Sequence, residues 1–516
     1  MAIRGTLLLG IDIGTSSSKG VLCTHGGEVL AESVIEHETR FPAPGRAEHD
    51  AETIWWGEVV GHCQRLLSGR YAGADVGAVA VSAIGPCMLP VDTAGRPLRP
   101  GILYGIDSRA GAEIAWLEER FGREPMFALN GMALTSQAVG PKILWLRRHE
   151  PEIFARTAMI HSASSWIVRR LTGEHVIDRH TAAYFAPLFD IRRLDWDETF
   201  AGPIIGTDKL PRLLDASEIA GTITAGIAGE TGLVVGTPVT AGTIDAAAEA
   251  ISVGVADPGE MMAMYGSTLF LIDLVARPTP DERMWTAAYC LPDRHAITGS
   301  LTTAGLLTRW FRDELGEPER TLAEQAGENP YEALAHLAAE VPAGSEGLIC
   351  LPYFAGERTP LDDPDARGIF AGLALQHTRG HLYRAVLEGI GFGFRQNLEV
   401  MAEMDASPSR IVAVGGGARN ELWLQIMSNV SGMPQELPER TTGAAYGNAF
   451  LAGLASGIVP SLEALRSDWV RVARTIEPDP AVKSLYDDHY AIFRRLYTST
   501  REDIHRLAPQ NPGHLP

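Results

Sequence analysis

The chain is 516 residues long, 45% hydrophobic and 21% charged, with a formal net charge of −20. Its length exceeds what one hydrophobic core supports, so two large domains of about 250 residues each are expected, with bounds 1–255 and 256–516. The acidic excess excludes nucleic acid or an anionic membrane as the main partner, because a phosphate backbone is held by clustered Lys and Arg, whereas a small anion can be bound by local N–H groups and a metal.

Met1–Thr6 runs directly into an apolar stretch and carries no signal-peptide h-region, which points to a cytoplasmic protein. The stretch Leu7–Ile13, the turn Gly14-Thr15-Ser16-Ser17 and the apolar run after Lys19 read as strand, tight turn and returning strand. Gly14 lets a ligand approach the backbone, and Thr15 and Ser16 add donors suited to phosphate oxygens. Asp12 is placed to hold a hydrated divalent cation, and Lys19 to reach a terminal phosphate. An ordinary polar hairpin tip uses the same residue types. Val29–Ala31 continues the meander, Phe41–Asp50 reads as loop, and Ala51–Leu67 has helical spacing behind Asp50 as N-cap. Val76–Ser82 is a buried strand whose carboxyl end bears Gly85-Pro86-Cys87-Met88, where ligands sit in open α/β sheets. The uncharged stretch Val76–Val91 is too short to span a membrane and is broken by Gly85, Pro86 and Pro90.

Gly101–Arg109 brings Asp107 and Arg109 to a strand end, as sugar contacts or as a structural ion pair. Pro141 suits the first turn of a helix through Lys142–Leu146, Ser164–Leu171 forms another helix, and a loop carries Asp178 and His180. Farther on, Asp245 follows a glycine turn and opens a run of alanines. An Asp there is either an N-cap or a general base for a substrate hydroxyl. Glu260–Ile272 repeats the strand, turn, strand pattern with Gly266, Ser267 and Thr268 at the tip, which suggests duplicated domains whose two hairpins handle one nucleotide; their boundary falls near Gly254–Gly259. Gly305 opens an amphipathic helix containing Arg309, and Leu382 to Leu398 mark a long helix. Ile411–Val414 leads into Gly415-Gly416-Gly417 and Asn420, a turn against which a flat adenine can lie; the dinucleotide spacing G-x-G-x-x-G is absent, as is a Walker A sequence. The five cysteines are scattered without a C-x-x-C and read as reduced, buried thiols.

Together these pieces resemble the FGGY family of carbohydrate kinases. Gly368–Leu373, followed after seven residues by His381–Glu388, is similar to the family's second signature. Lys142–Leu146 resembles the first, with Val139 where a small hydroxyl residue or proline is usual, and Leu351–Pro360 looks like the xylulose kinase branch. The resemblance implies two ribonuclease-H-like α/β domains of the actin/Hsp70/sugar kinase superfamily with a catalytic cleft between them. The first domain would hold the sugar, the phosphate hairpin and the catalytic Asp, and the second the adenosine. It also implies ATP and Mg2+ as cofactors, Asp245 as base, Asp12 at the magnesium, and Thr15, Ser16 and Lys19 at the terminal phosphates. Gly266, Ser267 and Thr268 would take the middle phosphates, Gly305 and Arg309 the ribose side, and Gly416, Gly417 and Asn420 the adenosine. Cys87, Met88, Asp107, Arg109, Asp178 and Asp245 would face the sugar. Two departures from the xylulose kinase pattern, Gly85-Pro86-Cys87-Met88 for a Met-His pair and Ala246 for Asn, remove polar sugar contacts. The implied reaction is phosphorylation of a terminal hydroxyl of a small sugar, D-xylulose first, with another pentulose such as ribulose or a polyol such as erythritol as the alternative. A nucleotide-gated sugar sensor on the same fold is the rival from another class, and Asp245 argues against it. Many relatives are dimers, so a homodimer is open.

Overall fold

The computed structural model describes residues 5–508. Two compact units divide it: one holds the chain up to Asp257 with Val275–Ala296 and Arg440–Arg471, the other Pro258–Leu274, Ile297–Glu439 and the chain from Val472 on.

In the first unit the opening run forms the antiparallel meander Leu7–Ile13, Ser17–Cys23 and Val29–Glu36. Leu7–Ile13 also pairs in parallel with Val76–Ala83, whose carboxyl end pairs in parallel with Thr243–Ile244. Strands covered on both faces read as continuous apolar runs, as these two do. Successive side chains alternate between faces. Leu9, Ile11 and Ile13 therefore join Val79, Val81, Trp55, Val59 and Trp166 in one core, which the helices Gly57–Leu66 and Ala163–Thr172 supply from one side.

Gly10 and Asp12 point to the other face, against the helix Ala444–Ser456, almost all of whose residues are buried. A Cβ on Gly10 would meet Ala445 O at 1.9 Å, so only glycine lets this helix lie on the strand. A helix from late in the sequence thus completes the first unit.

Two segments differ from their expectations as loops. Phe41–Asp50 contains the short strands Arg40–Ala43 and Arg46–His49, because Glu48 and His49 pair with Gly101–Ile102. The stretch carrying Asp178 and His180 is the strand Val176–Asp178, paired with Arg212–Leu214, and the one-turn helix Arg179–Ala183 that Asp178 caps. Long-range pairing overrides turn-rich composition in both.

The second unit repeats the central pattern. Glu260–Tyr265 is antiparallel to Leu269–Val275 and parallel to Arg410–Val414, and Gln435–Pro438 and Val472–Ile476 extend the sheet. The helices Arg379–Glu403 and Glu421–Ser431 pack against each other. Among the described residues no helix is long and apolar enough to cross a membrane. All five cysteines are free and buried.

Candidate active site

The parallel strands Leu7–Ile13, Val76–Ala83 and Thr243–Ile244 end together, with Asp12 opposite Ser82, Ser82 opposite Thr243 and Ala83 opposite Ile244. This carboxyl edge is the ligand end of such a sheet. It is where Asp12, Asp245 and the turn after Ala83 come together.

Asp12 is half-buried and accepts from Ser82 Oγ at 2.6 Å. Ser82 Oγ is held in turn by Asn448 Nδ2 at 2.7 Å, and the same amide reaches Ile11 O at 2.8 Å. Asp245 is the first residue of the helix Asp245–Ser252 and not its cap; its Oδ1 accepts from Ala246 N at 2.8 Å. Burial raises its pKa from 3.8 to about 8, and the neighbouring Asp12 and Glu249 carboxylates add to this. Asp12 is raised to about 6 by burial, against the hydrogen bond from Ser82. Glu249, one turn beyond Asp245, is pushed to about 7 by burial and by Asp12, while Ala444 N–H and Lys19 oppose the rise. Three carboxyl groups that disfavour one another's charge make a site whose neighbour of choice is a cation or a proton.

Among the described residues no group of three or more His, Cys, Asp or Glu could hold a metal ion directly. Asp12, its carboxylate held by Ser82 Oγ and partly open, is a residue that could meet a cation through its water shell. In the hairpin turn, Thr15 is partly buried and Ser16 exposed. Lys19 pairs with Glu32 at 2.9 Å while remaining partly open to solvent.

The other residues expected at the sugar are engaged by protein. Cys87 is buried, its thiol donates to Ile84 O at 3.2 Å, and burial raises its pKa well above the usual thiol range. Met88 is buried and its backbone N–H donates to Ile102 O. Asp107 is fully buried: Ala47 N–H donates to Oδ2 at 2.7 Å, and Arg109 Nε and Nη2 grip the carboxylate at 2.9 and 2.7 Å. The Arg109 guanidinium also pairs with Glu48 at 2.9 Å and lies 5.0 Å from the Trp145 ring centroid. Of the two readings for this pair, its geometry is that of the ion pair. Lys142 fixes the same neighbourhood, donating to Leu103 O and Ser136 O, both at 2.7 Å, and burial lowers its pKa to about 8. Asp178 accepts from Thr243 Oγ1 at 2.8 Å, which ties down the strand two residues before Asp245; burial raises its pKa to about 6.

In the second unit a cavity of about 870 Å³ is lined by Gly266, Ser267, Gly305, Arg309, Gly416, Gly417 and Asn420. The structure brings these seven expected residues to one place. Thr268 sits at the hairpin tip outside that lining. A Cβ on Gly305 would meet Gly266 O at 2.3 Å, so a bare glycine lets the helix N-terminus close on the hairpin, where Gly305 N–H donates to Gly266 O at 3.1 Å. Asn420 caps the helix Glu421–Ser431 by accepting from Trp423 N. Arg309 is exposed and faces Asp313 at 3.6 Å. Tyr331, His336, Tyr383 and Trp423 add walls to the cavity that sequence reading did not nominate. Ser82, Glu249 and Asn448, which gather around Asp12, likewise lie outside the expected set. Only Glu249 carried a sequence signal, a carboxylate four residues after Asp245 and so on the same helix face.

Residues 7–252 match the N-terminal domain, and residues 261–456 the C-terminal domain, of the FGGY family of carbohydrate kinases. The chain belongs to the FGGY family. A xylulose kinase of Escherichia coli (strain K12) is 31% identical over 95% of this chain and 98% of its own length. A gluconokinase of Bacillus subtilis (strain 168) is 30% identical over 89% of each chain. The crystal structure of a xylulose kinase from Rhodospirillum rubrum superposes with a TM-score of 0.89 at 32% identity, covering 97% of this chain and 100% of that one. This FGGY chain is thus a carbohydrate kinase with the two-domain α/β fold of the sugar kinases.

Proposed function

We propose that this kinase transfers the terminal phosphoryl group of ATP to the terminal hydroxyl of D-xylulose, giving D-xylulose 5-phosphate and ADP. The observation that carries the reading is the Asp245 carboxyl, raised to about 8 beside Asp12 at the carboxyl edge of the first sheet. A general base is most effective when its pKa lies near the working pH, and Asp245 meets that condition. It takes the proton from the sugar hydroxyl as the oxygen attacks phosphorus, while Asp178 keeps Thr243, and through it the strand end before Asp245, in place. Thr15, Ser16 and Lys19 orient the terminal phosphates, Gly266, Ser267 and Thr268 the middle ones, and Gly305, Arg309, Gly416, Gly417 and Asn420 the nucleoside side. Phosphoryl transfer asks mainly for such positioning and charge neutralisation. Magnesium, when bound, supplies that neutralisation, and Asp12 with its Ser82–Asn448 support would hold its water shell.

The xylulose assignment is supported by two xylulose kinases above 30% identity that cover nearly the whole chain. Gluconate is the second reading. A gluconokinase relative stands at 30%, and the loop Gly85–Met88 offers a sugar only a proline, a thiol already bonded to Ile84 O and a buried Met88. The test is ADP release with Mg-ATP against pentuloses, hexuloses, gluconate, glycerol and polyols, with an Asp245→Asn control. A strong response to D-xylulose that the control abolishes supports the proposal. A stronger response to gluconate moves the assignment there, and no response from any acceptor overturns both.

A further inference from the structure

The first hairpin's turn is held from behind by a neighbouring segment. Three successive carbonyls of the turn accept hydrogen bonds from residues His37–Thr39. His37 Nε2 lies 3.2 Å from Gly14 O, Thr39 Oγ1 donates to Thr15 O at 2.8 Å, and His37 N–H donates to Ser16 O at 3.0 Å. In a trans, planar peptide the carbonyl and the following N–H point in opposite directions. Drawing these three carbonyls toward His37–Thr39 therefore turns the N–H groups of Thr15, Ser16 and Ser17 away from their respective carbonyl partners, and successive N–H groups of a turn are donors of the kind that bind anions.

Donor accounting around Thr39 closes. Trp55 Nε1 donates to His49 Nδ1 at 3.2 Å, which leaves the proton of His49 on Nε2, 3.0 Å from Thr39 Oγ1. Thr39 Oγ1 accepts there and gives its own proton to Thr15 O. His37 Nδ1 faces the Glu58 carboxylate at 3.0 Å, and both side chains are over nine-tenths buried. Its two ring nitrogens meet a carboxylate and a carbonyl, both acceptors.

We infer that His37 and Thr39, backed by Glu58 and by the Trp55–His49 pair, are positioning residues that aim the Thr15–Ser17 N–H groups at the terminal phosphates. This rests on the proposed phosphate role of that hairpin. Thr39→Val removes the proton given to Thr15 O with little change of volume, and His37→Gln puts a single amide nitrogen where two ring nitrogens stood. Binding of a non-hydrolysable ATP analogue and of AMP, which lacks the terminal phosphates, is measured by calorimetry beside steady-state kinetics. In both variants the analogue binds about tenfold more weakly, the shift of a single lost positioning contact, and kcat falls, while AMP affinity is unchanged and Thr39→Ser restores wild-type values. Analogue affinity and kcat within twofold of wild type, or a parallel loss of AMP binding, overturn the inference. Ser16→Pro, which deletes one N–H of the turn itself, separates the two layers. If Ser16→Pro weakens the analogue and Thr39→Val does not, the clamp alone is wrong; if Ser16→Pro also leaves the analogue unaffected, the hairpin's phosphate role fails.

Discussion

Two hairpins in this chain are built alike and charged differently. In each, a strand ends in a short glycine-containing turn, returns antiparallel, and pairs in parallel on its other edge with a later strand: Leu7–Ile13 with Val76–Ala83 in the first unit, Glu260–Tyr265 with Arg410–Val414 in the second. Two residues before the turn glycine the first carries Asp12, half-open and opposed by Asp245 and Glu249, whereas the second carries Met264. Around the first turn burial and like charge raise three carboxyl groups. Around the second, glycines and aromatic rings wall a cavity of about 870 Å³. The frame is common to both, and what differs is the single residues placed on it: three carboxyl groups beside one hairpin, glycines and aromatic rings beside the other.

The largest test of that division is Asp245→Asn. Sugar phosphorylation falls by about 10²- to 10⁴-fold, the range of a lost general base, while nucleotide binding measured by calorimetry is unchanged. Retained turnover would place the base elsewhere. Next in size is Asp12→Ala, for which kcat falls by about 10²-fold, the scale of one lost electrostatic partner in the transition state. The magnesium titration moves to higher concentration with little change in sugar KM, and an unmoved titration removes Asp12 from the cation site.

Much of this division is legible in the sequence, because hairpin turns, apolar runs and helix starts are local. Leu7–Cys23, Glu260–Val275, the Asp50 cap and Gly305 as a helix start follow from turn chemistry and periodicity alone. What lies hidden is long-range. Asn448 reaches Ser82 across 366 positions, and Tyr446 in the same helix reaches Gly27 O across 419, so no local pattern announces that Ala444–Ser456 belongs beside Asp12. Asp107 and Arg109 show a related difficulty: that they pair with each other is local, but the Ala47 N–H and the Glu48 carboxylate that hold the pair come from about sixty positions away.

On the nucleotide side the effect is smaller. Gly305→Ala puts a methyl where Gly266 O stands 2.3 Å away, so the helix start must back off the hairpin. Such overpacking costs about 1–3 kcal/mol, which predicts roughly tenfold weaker binding of an ATP analogue with sugar affinity intact. Sugar affinity falling equally would erase the separation of roles between the hairpins.

The smallest expected effect is also the most direct reading of the carboxyl cluster. Asp12, Glu249 and Asp245 have folded-state pKa values raised to about 6, about 7 and about 8, from the ordinary carboxyl values of 3.8 to 4.5. Over that interval the folded chain binds more protons than the unfolded one, so these groups favour folding below about pH 4 and that contribution is lost as pH rises through 6 to 8. Other groups shape the whole curve, but the difference between wild type and Asp245→Asn isolates this site. The variant should melt a few degrees higher than wild type near pH 8 and show no such gain near pH 4, a trade of stability against a strained functional site. Magnesium added to wild type at pH 8 should recover part of the same gain, because a cation relieves the repulsion that the amide removes. An Asp245→Asn difference that is flat with pH would mean the carboxyl groups do not press on one another, and the contrast between the two hairpins would then rest on shape alone.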